Sequence, residues 1–236
     1  MLVTTSFSPK GYEQYGRKCL ESYVKHWPCK ILVWYEEKPD FEHELVEYRN
    51  LLELEDLDRF LHRLESVSDS DGFVNGRYNY NFDARKFCRK VFAQDASFDL
   101  DSEVFWLDAD TVTHQYIPES FLRTLVEGVP FCYLGRARSY TETGFLGFNT
   151  QHKCFPAFRA NYVTAYTKGR IFSQPRAWHD CIAFDMARGA IQGNDLNKDT
   201  PYQGLDHCWP HTVLGQYITH NKGPARKGLV LAAEES

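Results

Sequence analysis

The chain has 236 residues, of which 43% are hydrophobic and 15% aromatic, so it can bury a core and the composition excludes a disordered protein. Its net charge is −5, no apolar run approaches the roughly 20 residues of a membrane span, and the start does not resemble a signal peptide. The seven cysteines are scattered and never spaced Cys-x-x-Cys, which argues against a disulfide framework and a structural zinc site. We therefore expect a cytoplasmic protein.

Strands and helices alternate along the predicted chain. In order, we predict a strand over residues 1–8, a helix over 11–27, a strand over 30–36, an interrupted helix over 43–65, a polar loop over 68–83, a helix over 84–96 and a strand over 103–107. A helix over 118–127, strands over 129–135 and 144–149, helices near 154–167 and 178–188, and a strand over 215–220 follow. This order predicts one α/β domain with a central, mostly parallel sheet flanked by helices.

Two carboxylates, Asp108 and Asp110, follow the buried strand 103–107. Because side chains alternate along a strand, both would point the same way as the strand opens into a loop. One interpretation is a phosphatase of the haloacid dehalogenase type with Asp108 as nucleophile, but no later acidic pair completes its Mg²⁺ site. A sugar nucleotidylyltransferase would start with a glycine-rich loop, which residues 4–16 do not provide.

Four short motifs, in this order, resemble those of metal-dependent glycosyltransferases with the GT-A fold, and most closely the glycogenin-like family 8. The motifs are "FWLDAD" (residues 105–110), "TETGFLGFN" (141–149), "WHDC" (178–181) and "HNKGPAR" (220–226). Glu142 and Thr143 replace an Asn-Ala pair of that family, and Cys181 stands where glutamine is usual. The resemblance therefore implies the broader GT-A fold, over residues 1–236, rather than membership of family 8.

The resemblance implies transfer of a sugar from a nucleotide-diphosphate donor, for which we expect a UDP-sugar, to a hydroxyl group. Mn²⁺ or Mg²⁺ would be bound by Asp108, Asp110 and His220, with His207 and His211 as alternative ligands. The predicted donor-binding residues are Thr5, Ser6, Arg85, Asp108, Lys222 and Arg226. For Lys222 and Arg226, the alternative interpretation is a solvent-exposed basic tail without a role in binding.

Asp180 is the predicted catalytic residue, because the resemblance places it beside the acceptor. It would either deprotonate the acceptor hydroxyl, which gives inversion, or steady the sugar, which gives retention. The alternative is an N-cap of the helix that starts near residue 178.

The charge is distributed unevenly. Residues 36–71 contain 13 acids and 4 Lys or Arg, whereas residues 135–178 contain 7 Lys or Arg, one acid and nine aromatic residues. Lys and Arg side chains neutralise phosphates, and aromatic side chains stack on unpaired nucleobases. We therefore predict that the acceptor is 5-hydroxymethylpyrimidine in DNA and that the enzyme is phage-encoded and acts in the host cytoplasm. The predicted acceptor-binding residues are Arg136, Arg138, Glu142, Arg170, Arg176 and Trp178. A cytosolic glycan or protein acceptor is the alternative.

Overall fold

The computed structural model of the protein describes residues 1–200 and 207–221. Its strands are β1 (Leu2–Phe7), β2 (Ile31–Tyr35), β3 (Val46–Asn50), β4 (Phe73–Val74), β5 (Arg77–Tyr78), β6 (Glu103–Leu107), β7 (Thr111–Thr113), β8 (Phe131–Leu134), β9 (Glu142–Asn149), β10 (Asn194–Asp195) and β11 (Ile218–His220). Its α-helices are α1 (Pro9–Gly11), α2 (Arg17–His26), α3 (Glu55–Leu64), α4 (Ala84–Ser97), α5 (Glu119–Val126), α6 (Phe155–Thr167) and α7 (Asp180–Arg188). A π-helical segment, Tyr12–Gly16, joins α1 to α2. In this part of the chain, no helix has the length and apolar character needed to span a bilayer.

Seven strands form the central sheet in the order β10-β8-β9-β6-β1-β2-β3. Strands β3, β2, β1 and β6 run parallel to one another, and β10 runs parallel to β8. Strand β9 is antiparallel to both of its neighbours, β6 and β8. The predicted α/β architecture with a mostly parallel sheet is therefore confirmed.

The central strand β6 is buried on both faces of the sheet. Val104 and Trp106 contribute to a hydrophobic cluster with helices α3, α4, α6 and α7, and Phe105 and Leu107 contribute to a second cluster on the opposite face. Burying one large apolar side chain contributes about 1.5–3 kcal/mol, so both faces anchor this strand. Asp108 follows directly, which places its carboxylate at the carboxyl end of a strand that is buried on both faces.

The predicted helix over residues 43–65 was wrong in its first part. Residues Val46–Asn50 form strand β3 at the sheet edge, where Val46 pairs with Ile31 of β2, and the helix α3 begins only at Glu55. Val46 is buried, whereas Glu47 and Arg49 are exposed, an alternation with a period of two. Parallel pairing with a buried neighbour outweighed the helical propensity of this segment, because packing against neighbouring strands dominates strand preference.

The predicted polar loop over residues 68–83 contains a short hairpin. Strand β4 pairs with β5 through the registers Phe73 to Tyr78 and Val74 to Arg77. The two connecting residues, Asn75 and Gly76, have φ angles of 51° and 74°. An Asn-Gly pair favours a two-residue hairpin turn in which both residues are left-handed, so the sequence did contain the signal for this hairpin.

Candidate active site

Strand pairing brings His220 to the two aspartates. Strand β11 runs antiparallel to β7 with His220 opposite Thr111, and the Asn221 amide donates a hydrogen bond of 2.8 Å to the carbonyl of Asp110. As a result, Nε2 of His220 lies 3.1 Å from Oδ1 of Asp110. One ligand atom from each of Asp108, Asp110 and His220 lies within 4.8 Å of the others. The structure therefore places the three predicted metal ligands in one cluster.

This cluster fits a hard divalent cation. Two carboxylates and an imidazole are a suitable ligand set for Mg²⁺ or, with the nitrogen donor, Mn²⁺. Gly144 leaves the space beside them open, because a Cβ at this position would lie 3.0 Å from Cε1 of His220 and 3.3 Å from Oδ2 of Asp108. In the described residues, the buried Nδ1 of His220 has no hydrogen-bond partner, so the ring is positioned by the contact of its Nε2 with Asp110 and by packing against Trp209.

Lys90 of helix α4 connects this cluster to Asp180. Its ammonium group donates hydrogen bonds to Oδ1 of Asp108 at 2.7 Å and to the carbonyl of Thr143 at 2.8 Å. It also lies 3.0 Å from Oδ2 of Asp180. Lys90 belongs to no motif of the sequence and was not among the predicted site residues, whereas the predicted Arg85 lies five residues earlier on the same helix and is partly exposed. Lys90 is therefore the positively charged side chain that α4 contributes to the aspartates.

The charges in this cluster stabilise one another. Burial would lower the pKa of Lys90, but Asp108 and Asp180 raise it well above its usual value. Burial also raises the pKa of Asp108, against the opposing effect of Lys90. For Asp180, burial acts in the same upward direction, but Lys90 and neighbouring donors outweigh it and the pKa is lowered. Lys90 and Asp180 therefore form a buried ion pair at neutral pH.

Asp180 is the first residue of helix α7, and the N-cap position is occupied by His179. The N-cap alternative was therefore wrong. The Asp180 carboxylate is almost fully buried and accepts a hydrogen bond of 2.5 Å from the Thr143 hydroxyl. A carboxylate in the first turn is also stabilised by the helix dipole. Its position is fixed by three elements, namely α4, α7 and strand β9.

The remaining predicted donor and metal residues are placed as follows. Thr5 is fully buried in β1, and its hydroxyl has no hydrogen-bond partner among the described residues, whereas the neighbouring Ser6 is partly exposed. The ring of His207 lies 5.7 Å from that of His220, and His211 is exposed. Lys222 and Arg226 lie outside the described residues, so their assignment stays a prediction.

Tyr15 is a further residue near the aspartates that sequence analysis did not identify. It belongs to the π-helical segment Tyr12–Gly16 and lines a small cavity with Asp110 and Asn221. Burial and the charges of Asp110 and Asp108 raise the pKa of Tyr15 to about 12. π-Helical turns occur frequently at functional sites, but the sequence carries no simple signature for them.

The predicted acceptor residues do not form one exposed basic surface. Nη1 of Arg136 lies 3.4 Å from Oε2 of Glu142, and both side chains are less than one tenth exposed. Arg138, Arg170 and Arg176 are exposed. Trp178 is partly buried and packs edge-on against Phe82 and Phe172. Of the nine aromatic residues in this stretch, six are buried in the core, namely Phe145, Phe148, Phe155, Phe158, Tyr162 and Tyr166.

No protein-family model and no curated protein matches the sequence. Among solved structures, mouse xyloside xylosyltransferase 1 has a TM-score of 0.50 at 12% identity and covers 80% of this chain and 81% of its own. The galactosyltransferase LgtC, solved with donor and acceptor sugar analogues, has a TM-score of 0.51 at 12% identity and covers 95% of this chain and 88% of its own. The bifunctional glycosyltransferase WbbM has a TM-score of 0.56 at 11% identity, covering 95% of this chain and 46% of its own.

The chain has the GT-A glycosyltransferase fold. At this level of identity the likeness concerns the fold, and the chemistry depends on the residues of the site. In the GT-A fold of this chain, the candidate metal cluster lies after the central strand β6 and the Lys90–Asp180 pair lies next to it.

Proposed function

We propose that this protein transfers a sugar from a nucleotide-diphosphate sugar, by resemblance a UDP-sugar, to an acceptor hydroxyl, with Mn²⁺ or Mg²⁺ held by Asp108, Asp110 and His220. The observation that carries this proposal is the convergence of these three side chains within 4.8 Å. They come from two segments far apart in the sequence, and they meet at the carboxyl end of β6, where α/β sheets commonly bind ligands.

The bound cation would neutralise the negative charge that develops on the departing diphosphate. The protein itself supplies the geometry around it. Trp106 donates a hydrogen bond of 2.6 Å to Oδ1 of Asp108 and Lys90 donates a second to the same atom. This leaves the other oxygen, Oδ2, which faces Gly144, for the metal or the donor. Thr5, Ser6, Lys222 and Arg226 keep their proposed roles in donor binding.

For Asp180 we propose a positioning role rather than that of a general base. Its Oδ2 atom already accepts from Thr143 and contacts Lys90, and its lowered pKa makes it a weak base. A general base works best with a pKa near the operating pH. In the proposed reaction, the acceptor oxygen forms a bond to the anomeric carbon as the bond to the diphosphate breaks. The acceptor proton passes to a phosphate oxygen, and the anomeric configuration is retained.

The acceptor proposal changes with the folded structure. A DNA acceptor was favoured by the seven Lys or Arg and nine aromatic residues in residues 135–178, but six of those aromatic side chains are buried in the core. Arg136 pairs with Glu142, and Arg159 pairs with Asp95 and Asp99. The remaining observations give 5-hydroxymethylpyrimidine in DNA no specific support, and we propose a different acceptor class below.

The proposed metal site can be tested by binding and by turnover. Trp106 contacts Asp108 and Trp209 packs on His220, so Mn²⁺ bound at this site should quench tryptophan fluorescence. Wild type should also hydrolyse a nucleotide-sugar slowly without acceptor, and chelation should abolish this hydrolysis. We expect Asp110→Asn to lose both signals, with the exposed Glu127→Gln as the matched control.

Two results would count against the metal proposal. The first is unchanged Mn²⁺ quenching in Asp110→Asn, because the ion would then bind elsewhere. The second is full nucleotide-sugar hydrolysis in excess chelator. If no nucleotide-sugar from a panel of UDP, GDP and CDP donors is hydrolysed or transferred by wild type, the glycosyltransferase proposal itself fails.

A further inference from the structure

The hairpin β4–β5 exposes aromatic rings to solvent. Phe73 is 54% exposed, Tyr78 is 51% exposed and Tyr80 is 56% exposed, so three of the seven exposed large hydrophobic side chains in the described residues lie within this short segment. The rings of Phe73 and Tyr78 lie side by side, with centroids 5.5 Å apart and an interplanar angle of 57°. Clustering of this kind marks a binding surface more often than single exposed rings do.

The hairpin is attached to the helices that carry the candidate active site. The Tyr78 hydroxyl donates a hydrogen bond of 2.8 Å to Asp83, which also caps the start of α4. Along α4, Lys90 follows Asp83 by seven residues, which is about 10 Å at 1.5 Å per residue. The hairpin is therefore joined through Asp83 to the start of the helix that carries Lys90.

A second connection leads from the hairpin to helix α7. The ring of Tyr80 lies 6.3 Å from that of Phe87, and Phe87 lies 5.6 Å from His179, the residue before Asp180. The Trp178 amide donates a hydrogen bond of 2.6 Å to the carbonyl of Asn81. The exposed rings thus continue into a row of partly buried rings that leads to the start of α7.

The charge of this surface disfavours a polyanion. Residues 66–83 contain Asp69, Asp71 and Asp83 but only one base, Arg77. If Arg85 and Lys86 at the start of α4 are included, bases and acids are equal in number. Binding to nucleic acid requires a surplus of Lys and Arg side chains to displace counterions. On this surface the basic side chains do not outnumber the acidic ones. A neutral, polyhydroxylated partner has no such requirement.

We propose that the β4–β5 hairpin binds the acceptor, and that the acceptor is a neutral saccharide chain. This proposal rests on the glycosyltransferase function proposed above and specifies its substrate. The C–H faces of pyranose rings are apolar and pack on aromatic faces, while their hydroxyls need polar partners. The exposed side chains of Asn75 and Arg77 at the hairpin tip provide such partners next to Phe73 and Tyr78.

Saturation-transfer NMR on wild type tests the proposal with defined probes, namely lactose, maltotetraose, cellotetraose, chitotetraose and a 24-base-pair DNA duplex. We expect selective irradiation of aromatic protons to transfer saturation to the ring protons of at least one saccharide. Phe73→Ala/Tyr78→Ala should weaken that binding about tenfold, because it removes both ring contacts. Tyr78→Phe keeps the ring and should retain the binding. Tyr116→Ala is the matched control, since Tyr116 is 57% exposed and lies elsewhere on the surface.

Three outcomes would overturn the saccharide proposal. These are no transfer to any saccharide of the panel, equal transfer in the double alanine variant and wild type, and binding of the DNA duplex alone with steep salt dependence. Acceptor-free hydrolysis of nucleotide-sugars by wild type is measured on the same samples. If wild type neither hydrolyses nor transfers any nucleotide-sugar of the donor panel while saccharide binding depends on Phe73 and Tyr78, the glycosyltransferase proposal fails and the binding surface remains.

Discussion

Replacing Lys90 with methionine should destabilise the fold, because it removes the buried cation between two carboxylates. The ammonium lies 2.7 Å from Asp108 and 3.0 Å from Asp180. At an effective dielectric constant of about 20, each attraction amounts to roughly 6 kcal/mol before desolvation is subtracted. Breaking a buried pair typically costs about 3–5 kcal/mol, because a buried charge is left without a partner. We expect a loss of this size in the free energy of unfolding.

The measurement is urea denaturation at pH 7 with chelator, so that no cation replaces the lysine. A double-mutant cycle with Asp180→Asn isolates the pair: the double variant should be less destabilised than the two single variants together, by about 1–3 kcal/mol. Lys86→Met, an exposed lysine one turn earlier on α4, should change stability by less than about 0.5 kcal/mol.

If Lys90→Met is as stable as Lys86→Met, the buried ammonium does not stabilise the fold. If the effects of Lys90→Met and Asp180→Asn are additive, the two side chains do not interact. A fold that survives Lys90→Met while turnover is lost would mean that Lys90 serves the donor and contributes little to stability.

Gly144→Ala should weaken Mn²⁺ binding at least tenfold, measured by tryptophan quenching, because the added Cβ would lie 2.9 Å from Trp209 and 3.0 Å from His220; overpacking of this kind costs about 1–3 kcal/mol. The glycosidic product of wild type should have the anomeric configuration of the donor by proton NMR, and an inverted product would restore Asp180 as a candidate base. Arg159 donates hydrogen bonds that lower the pKa of Asp99, so Asp99 stabilises the fold above its unfolded pKa of about 4 and loses this contribution as the pH falls further. Asp99→Asn should therefore show a smaller stability loss than wild type between neutral and acidic pH in urea titrations.

Much of the architecture could be predicted from local patterns. The run 103–107 is apolar, aromatic and β-branched, which is typical of a buried strand, and the structure places β6 there. The motif order indicated the GT-A fold although overall identity to matching solved structures is only 11–12%. Such motifs persist because the chemistry needs particular side chains at strand ends, whereas the remaining core positions need only suitable volume and polarity.

The residues whose burial could not be predicted from the sequence are those whose environment depends on the packing of elements that are distant along the chain. Lys90, Gln94 and Ser97 recur at helical spacing on α4 and resemble a solvated face, yet Gln94 and Ser97 are fully buried and the Lys90 side chain is only 12% exposed. Gln94 accepts from the Tyr162 hydroxyl and Ser97 accepts from the Trp34 indole. A polar stripe can be buried only when partners arrive from other elements, and nothing in α4 itself specifies them.

The basic stretch 135–178 was misleading for the same reason. The segment is indeed rich in basic and aromatic residues. However, the sequence could not show that Arg136 pairs with Glu142 or that most of the aromatic side chains of this segment face the core. Likewise, His220 and Asp110 are 110 residues apart and meet only because β11 pairs with β7. The sequence alone determined which side chains are available for chemistry and most of the order of strands and helices, although it concealed short strands such as β3. Strand pairing and helix packing determined which of those side chains meet, because charges and hydrogen bonds act over a few ångströms and depend on distances that only the folded chain sets.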